Sequence, residues 1–120
     1  MRIVIIEDER DLGILMRNFL VRLLNINTSI KVVTSLTEGL ICVDQMNPDW
    51  VFIDNNLPDG KGIDEIHSIK NRNTDTHTTK VVMMSAMTNL RDEAFKNGAD
   101  FFLDKPISFV EIKNIFSEVI

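Results

Sequence analysis

The sequence predicts an α/β domain, a parallel sheet of five strands with five helices covering both of its faces. Three observations predict it. Short apolar runs rich in Val, Ile and Phe alternate with segments whose apolar residues recur at helical spacing. Strands that alternate with helices pair in parallel, because each helix serves as the crossover to the next strand. The third run, Trp50 to Ile53, is apolar at every position, as a strand buried on both faces must be. With 120 residues, 44% of them apolar, the chain is sized for one domain spanning 1–120 with a real core.

The elements follow in order. The run RIVII (2–6) is the first strand, and Leu12, Leu15, Met16, Phe19, Leu20 and Leu23 form the apolar stripe of the first helix. IKVV (30–33) is the second strand, followed by a helix with Leu36, Leu40, Val43 and Met46 inward. Asn47-Pro48-Asp49 stops that helix, since the residue before a proline avoids helical geometry. WVFI (50–53) is the third strand, and Ile63, Ile66 and Ile69 mark the third helix. The polar stretch NRNTDTHTT (71–79) reads as a mobile loop, with His67 and His77 as surface residues. KVVMM (80–84) is the fourth strand. The fourth helix is short, about 89–97, with Leu90, Ala94 and Phe95 inward, and Gly98 suits a left-handed cap after it. FFL (101–103) is the fifth strand. Ser108 and Glu111 make a capping-box pattern before a last helix with Ile112, Ile115, Phe116 and Val119 on one stripe.

Composition narrows the function. A formal charge of -5 argues against this chain holding nucleic acid through backbone phosphates, and against a polybasic membrane anchor. One cysteine, Cys42, permits no internal disulfide and reads as packing on the second helix. No apolar run approaches spanning length, and only four consecutive apolar residues, Ile3 to Ile6, precede the acids of MRIVIIEDE, so a cytoplasmic location is expected.

The chemistry sits just past the strands. Glu7 and Asp8 follow the first, Asp54 the third, Ser85 the fourth and Lys105 the fifth. A parallel sheet brings all of these to one edge, and open α/β sheets bind ligands beyond that edge, where the strand order reverses. Asp54 alone could be a simple turn opener. Its company argues otherwise. Three carboxylates within ~4 Å repel by ~4 kcal/mol per pair at an effective dielectric of ~20. Lys105 offsets part of this, and the all-oxygen set suits a hard divalent cation, Mg²⁺ in particular, with Mn²⁺ as a substitute. Such a cluster fits phosphoryl chemistry, with Asp54 as a carboxylate nucleophile, Ser85 donating to one phosphoryl oxygen and Lys105 neutralising another.

Glu7-Asp8, Asp54 within DNNLPDGKG, Ser85-Ala86 and Lys105-Pro106 together resemble the receiver domain of two-component response regulators. Asn47-Pro48-Asp49, Pro58, Gly62 and Gly98-Ala99-Asp100 extend the resemblance along the whole chain. It implies a flavodoxin-like sheet of strand order 2-1-3-4-5. It implies Asp54 as phosphoacceptor, Mg²⁺ held by Glu7, Asp8, Asp54 and the backbone carbonyl of Asn56, and Ser85 and Lys105 on the phosphoryl group. Phe102 takes the place of the aromatic switch residue. The partners implied are a histidine kinase or phosphotransfer protein as donor, then a downstream target, an attached output domain or a phosphorylation-dependent dimer. The state change is read on helix 4, strand 5 and helix 5. The chain is then a regulatory phosphoacceptor that supports its own phosphotransfer and autodephosphorylation, not an enzyme acting on other substrates.

Four positions depart from the family's pattern. Asn55 replaces an apolar residue, which questions the packing under the acceptor loop. Phe102 lacks the hydroxyl of the commoner tyrosine. Met87 is apolar where polar residues often stand and is placed to shield a phosphoryl group from water. Ile115 stands where one dimerising subgroup has an arginine. Two rival readings remain. An unphosphorylated module of the same fold would be marked by loss of an acid, the hydroxyl or the lysine, and none is lost. A Mg²⁺-dependent phosphohydrolase with an aspartate nucleophile commonly carries a second acid two residues on, where this chain has Asn56.

Overall fold

In the computed structural model, residues 1–24 and 27–119 are described, the side chain of Val119 excepted, so its place on the last helix's stripe lies outside the described residues. Strands β1 (Arg2–Ile6), β2 (Ser29–Val33) and β3 (Trp50–Asp54) are followed by two two-residue strands, β4 (Asn56–Leu57) and β5 (Gly60–Lys61), then β6 (Lys80–Ser85) and β7 (Phe101–Asp104). The helices are α1 (Arg10–Leu24), α2 (Leu36–Met46), α3 (Ile66–Lys70), α4 (Arg91–Lys96) and α5 (Phe109–Val119). Short 3₁₀ turns, Gly62–Glu65 and Thr88–Leu90, lead into α3 and α4.

The main sheet is wholly parallel, in the order β2-β1-β3-β6-β7. With β6 and β7 as fourth and fifth long strands, this is the order 2-1-3-4-5. The chain steps outward from β1 to β2 and then returns to place β3 on the other side, so the order reverses between β1 and β3. All of β3 is buried, its four apolar residues and Asp54 alike, whereas β2 at the edge alternates exposed and half-buried positions up to the buried Val33. The hairpin of β4 and β5 adds to the expected topology, pairing Asn56 with Lys61 and Leu57 with Gly60.

Two cores lie on opposite faces. Under α1 and α5, Trp50 stacks near Phe116 (ring centroids 4.3 Å apart) and Phe101 (5.9 Å), over Ile3, Ile5, Met16 and Leu20. Under α2, α3 and α4 the packing is aliphatic, with Val4, Ile6, Val51, Ile53, Ile66, Ile69 and Met83. Period-2 alternation along each strand divides the residues this way.

Several local expectations change. The buried stripe of α1 is Gly13, Met16 and Leu20, and Leu15 falls outside it, 54% exposed. Gly13 is needed there, because a Cβ would stand 2.7 Å from Val32 Cγ1 of β2. In α4, Ala94 is buried but Phe95 faces out, its ring carrying the Arg91 guanidinium at 5.4 Å. The 71–79 segment, expected to be mobile, is tied down by polar bonds. Thr79 Oγ1 donates to Pro48 O (2.7 Å), Thr79 N donates to Asn73 Oδ1 (2.8 Å), and half-buried His77 places Nε2 3.0 Å from Pro48 O. Helix ends behave as read. Asn47 closes α2 at φ 48° and Gly98 follows α4 at φ 108°. Of the capping box, the structure shows one bond, Ser108 Oγ accepting from Glu111 N at 3.4 Å.

Candidate functional site

The reversal between β1 and β3 opens a crevice at their carboxyl ends, and the acids stand in it. Glu7 continues β1 by one residue, its N–H bonded to Val33 O (3.0 Å), and its side chain is wholly buried. Asp8 follows on the surface. Asp54 ends β3 and is 3% exposed. Carboxylate oxygens of Glu7, Asp8 and Asp54 lie within 4.8 Å of one another.

Lys105 reaches in from the end of β7, after which the Lys105–Pro106 peptide is cis. Its Nζ stands 2.8 Å from Glu7 Oε1 and 3.2 Å from Asp54 Oδ2. The Glu7 contact is an ion pair outside hydrogen-bond geometry, so Oε1 is buried with no hydrogen bond of its own. Glu7 Oε2 accepts from Glu9 N at 3.0 Å.

Burial and charge divide the titrations. Burial pushes Glu7 up to about 7, against the pull of Lys105 and the Glu9 N–H. Burial also raises Asp54, opposed mainly by Lys105. Asp8 feels some burial, but hydrogen bonding with Glu7 and Asp54 and the charge of Lys105 hold it below its ordinary value. For Lys105, burial works downward and is outweighed by Glu7 and Asp54, so the ammonium is held above its ordinary value. One cation among three acids leaves an excess of negative charge. The hard oxygen donors, in excess over the one cation, fit a small divalent cation such as Mg²⁺.

The loop after Asp54 is built tightly. Asn55, the departure that questioned packing here, is 2% exposed and satisfied. Its N–H bonds Met84 O (3.0 Å), its C=O accepts from Gly62 N (3.0 Å), and its Oδ1 accepts from Ile63 N (3.1 Å). The carboxamide thus replaces apolar packing with a hydrogen bond that starts the 3₁₀ turn before α3. Gly62 is required, because a Cβ there would sit 2.2 Å from Asp54 O. Asn56 is exposed at the base of the β4–β5 hairpin.

Ser85 ends β6, 1% exposed, its Oγ accepting from Met87 N at 3.0 Å. Met87 itself is 46% exposed. Lys105 N donates to Ser85 O (3.0 Å), which joins the two strand ends. Phe102 does not line the crevice. It is buried in the aliphatic core with the Arg91 guanidinium 5.8 Å from its ring centre. The structure therefore brings together Glu7, Asp8, Asp54, Ser85 and Lys105 at one sheet edge, with Asn56 on the adjoining loop and Phe102 one layer in. Two acids in this region escaped the sequence reading. Asp104 pairs with Ser85 in the ladder and keeps a buried Oδ1 without a hydrogen bond. Asp59 reaches across to α2. Asp59 lies in the turn between β4 and β5, past no long strand, whereas Asp104 directly follows the FFL run and was passed over for Lys105.

A doubly wound parallel sheet whose strand-order reversal carries clustered acids and a lysine defines a class of α/β signalling domain. The chain belongs to the response regulator receiver domain family, whose model matches residues 3–117, and with it to two-component signalling. It is 28% identical over 103 residues to the regulatory protein LuxO of Vibrio cholerae serotype O1, a match covering 84% of this chain but 21% of that protein, so the chain spans about a fifth of this relative's length. A CheY-like receiver domain from Methylobacillus flagellatus superposes with a TM-score of 0.85 at 28% identity, covering 100% of this chain and 98% of that one. The receiver domain of a DNA-binding response regulator (merR) from Colwellia psychrerythraea 34H gives a TM-score of 0.88, covering 99% and 97%; at 21% identity this likeness is one of fold. Among the described residues no helix is long and apolar enough to cross a membrane.

Proposed function

We propose that this chain, over 1–120, is a cytoplasmic phosphoacceptor switch in which Asp54 takes a phosphoryl group from the phosphohistidine of a histidine kinase or phosphotransfer protein. The observation that carries it is the placement of Asp54, buried at the strand-order reversal with two further carboxylates and the Lys105 ammonium at 3.2 Å. In the transfer, an Asp54 oxygen forms the new O–P bond as the donor's N–P bond breaks. The imidazole leaves with the electron pair and takes up a proton. Lys105 opposes the rise that burial imposes on Asp54 and then pairs with a phosphoryl oxygen. Glu7, Asp8, Asp54 and the Asn56 carbonyl would hold Mg²⁺, which supplies neutralising charge for the phosphoryl oxygens. Ser85 Oγ–H donates to another of those oxygens. Slow hydrolysis of the acyl phosphate resets the switch, with Met87 at the mouth limiting water.

The donor's seat is an open, largely apolar groove of about 610 Å³ beside the crevice, walled by Leu12, Leu15, Pro106 and Ile107 and sharing Lys105 with the site. Exposed Leu15 fits such a contact. Phosphorylation adds roughly -1.5 to -2 charge at Asp54. Ser85 shifts toward it, and its bond to Met87 N draws on the turn that leads into α4. Phe102, already packed under Arg91, passes the shift to the surface of α4, β7 and α5, where a target, an attached output domain or a second copy reads it. No nucleic acid binds through this chain itself.

Intact mass after incubation with a small-molecule phosphodonor tests the chemistry. One added phosphoryl group is expected in Mg²⁺, and none with chelator or in Asp54→Asn. Absence of an adduct in Mg²⁺ with several donors and rapid quenching would return Asp54 to a turn residue. For the coupling, Ser85→Ala is expected to accept the group yet lose the amide-shift changes of α4 and β7. A variant that keeps those changes removes Ser85 from the pathway.

A further inference from the structure

The four groups assigned to the metal come from two parts of the fold. Glu7 and Asp8 belong to the end of β1, and Asp54 and Asn56 to β3 and its loop. Asn56 contributes a backbone carbonyl, so no rotamer can adjust it, and its position is that of the β4–β5 hairpin. The base of that hairpin is bonded through Asn55 and Gly62. Its tip packs through Leu57 and Gly60 near Leu36, and Asp59 adds polar bonds to α2. Asp59, in the Pro58–Asp59 turn, places Oδ1 2.7 Å from Leu36 N and Oδ2 2.8 Å from Thr37 N and 2.7 Å from Thr37 Oγ1.

Leu36 and Thr37 open α2, and their N–H groups have no partner within the helix. The third such group, Glu38 N, goes to Ser35 Oγ at 3.2 Å. The helix that receives Asp59 is in turn locked to β1. Gly39 packs so closely on Ile6 that a Cβ would stand 2.3 Å from Ile6 Cδ1, and Ile6 is the residue before Glu7. The path Asn56–hairpin–Asp59–α2–Gly39–Ile6–Glu7 therefore ties the loop half of the site to the β1 half through contacts that do not pass through the crevice.

We propose that Asp59 is a positioning residue for the metal end of the site, holding the hairpin against α2 so that the Asn56 carbonyl keeps its register with Glu7 and Asp8. This rests on the metal reading made above. The three donors, the Thr37 hydroxyl first, hold the Asp59 carboxyl down to about 2, so the clamp stays ionised at working pH.

The competing account is that Asp59 only caps α2, and Ser35 separates the two. Ser35→Ala removes a cap bond from the same helix end and leaves the hairpin untouched. Mg²⁺ binding to the unphosphorylated chain is measured by calorimetric titration, with melting temperature and the hydrogen exchange of the Leu36 and Thr37 amides read alongside. Asp59→Ala is expected to weaken Mg²⁺ binding by about 10-fold, the lower range for a group that orients a metal ligand. Ser35→Ala is expected to lower the melting temperature and leave Mg²⁺ affinity unchanged. Thr37→Val, a milder change, is expected to move affinity in the same direction as Asp59→Ala by a smaller factor. Wild-type affinity in Asp59→Ala, or equal weakening by Ser35→Ala, overturns the positioning role alone. A wild-type chain that takes up no Mg²⁺ overturns the metal reading and this proposal with it.

Discussion

The sheet carries a lysine–aspartate ion pair at each end, and the two are built differently. At the amino end, Lys70 Nζ meets Asp100 Oδ2 at 2.8 Å, with side chains 22% and 23% exposed. Each partner is also bonded to backbone, Lys70 to Thr79 O (2.9 Å) and Asp100 Oδ2 to Val81 N (2.8 Å). Charges balance, and the pair fastens α3 and the start of β7 to the start of β6. At the carboxyl end, Lys105 stands between Glu7 and Asp54, both almost wholly buried, with Asp8 beside them and a carboxylate oxygen left without a hydrogen bond. The same residue types make a fastening where they are satisfied and half-exposed. They make the candidate site where burial and an uneven charge count gather three acids around one cation.

Breaking each pair should expose that difference. Lys105→Met leaves two buried acids without their cation and is expected to cost about 3 kcal/mol near pH 8 in chelator. The loss should shrink on acidification, as Glu7 and Asp54 take up protons. Urea unfolding at several pH values measures it, and a cost independent of pH would mean that the acids are not what Lys105 serves. Next in size is the pH response of Glu7. Its carboxyl binds protons more tightly in the folded state, at about 7, than at its ordinary 4.5. Its contribution is therefore full at low pH and is lost as pH rises from 4.5 toward 7. In chelator, wild type should lose stability relative to Glu7→Gln across that window, and Mg²⁺ should flatten the difference. The opposite slope would contradict the assignment of burial as the dominant cause.

Lys70→Met, at the satisfied end, is expected to cost about 1 kcal/mol, since a half-exposed pair contributes little and the bond to Thr79 O adds a modest share. Its phosphoryl uptake and Mg²⁺ response should match wild type; impaired uptake would mean the two ends are coupled. Smallest is Arg91→Ala, which removes a cation from over Phe95 and Phe102 and should cost roughly 0.5–1 kcal/mol in thermal melts. A larger loss would show that Phe102 depends on that contact for its buried position.

The order of strands and helices was legible because its signals are local: RIVII and WVFI are short runs rich in β-branched and aromatic residues and bounded by polar ones, as buried strands are, and the stripes between them recur at helical spacing. The site was legible because a parallel sheet delivers every strand end to one edge, so adjacency in chain order became adjacency in space for Glu7, Asp8, Asp54, Ser85 and Lys105. What the pattern did not carry was anything settled by a distant partner. Leu15 reads as stripe until Gly13 draws α1 onto Val32. The 71–79 segment reads as mobile until Pro48 offers its carbonyl. Asn55 reads as a packing fault until Ile63 N supplies its hydrogen bond. Asp59 carries no signal until α2 presents two unpaired amides to it. Hydrophobic period and strand-end position are properties of neighbouring residues, and the sequence by itself determined them. Which polar group finds which donor, and how deeply a charge is buried, depends on segments brought together across the fold, and only the tertiary structure decided those.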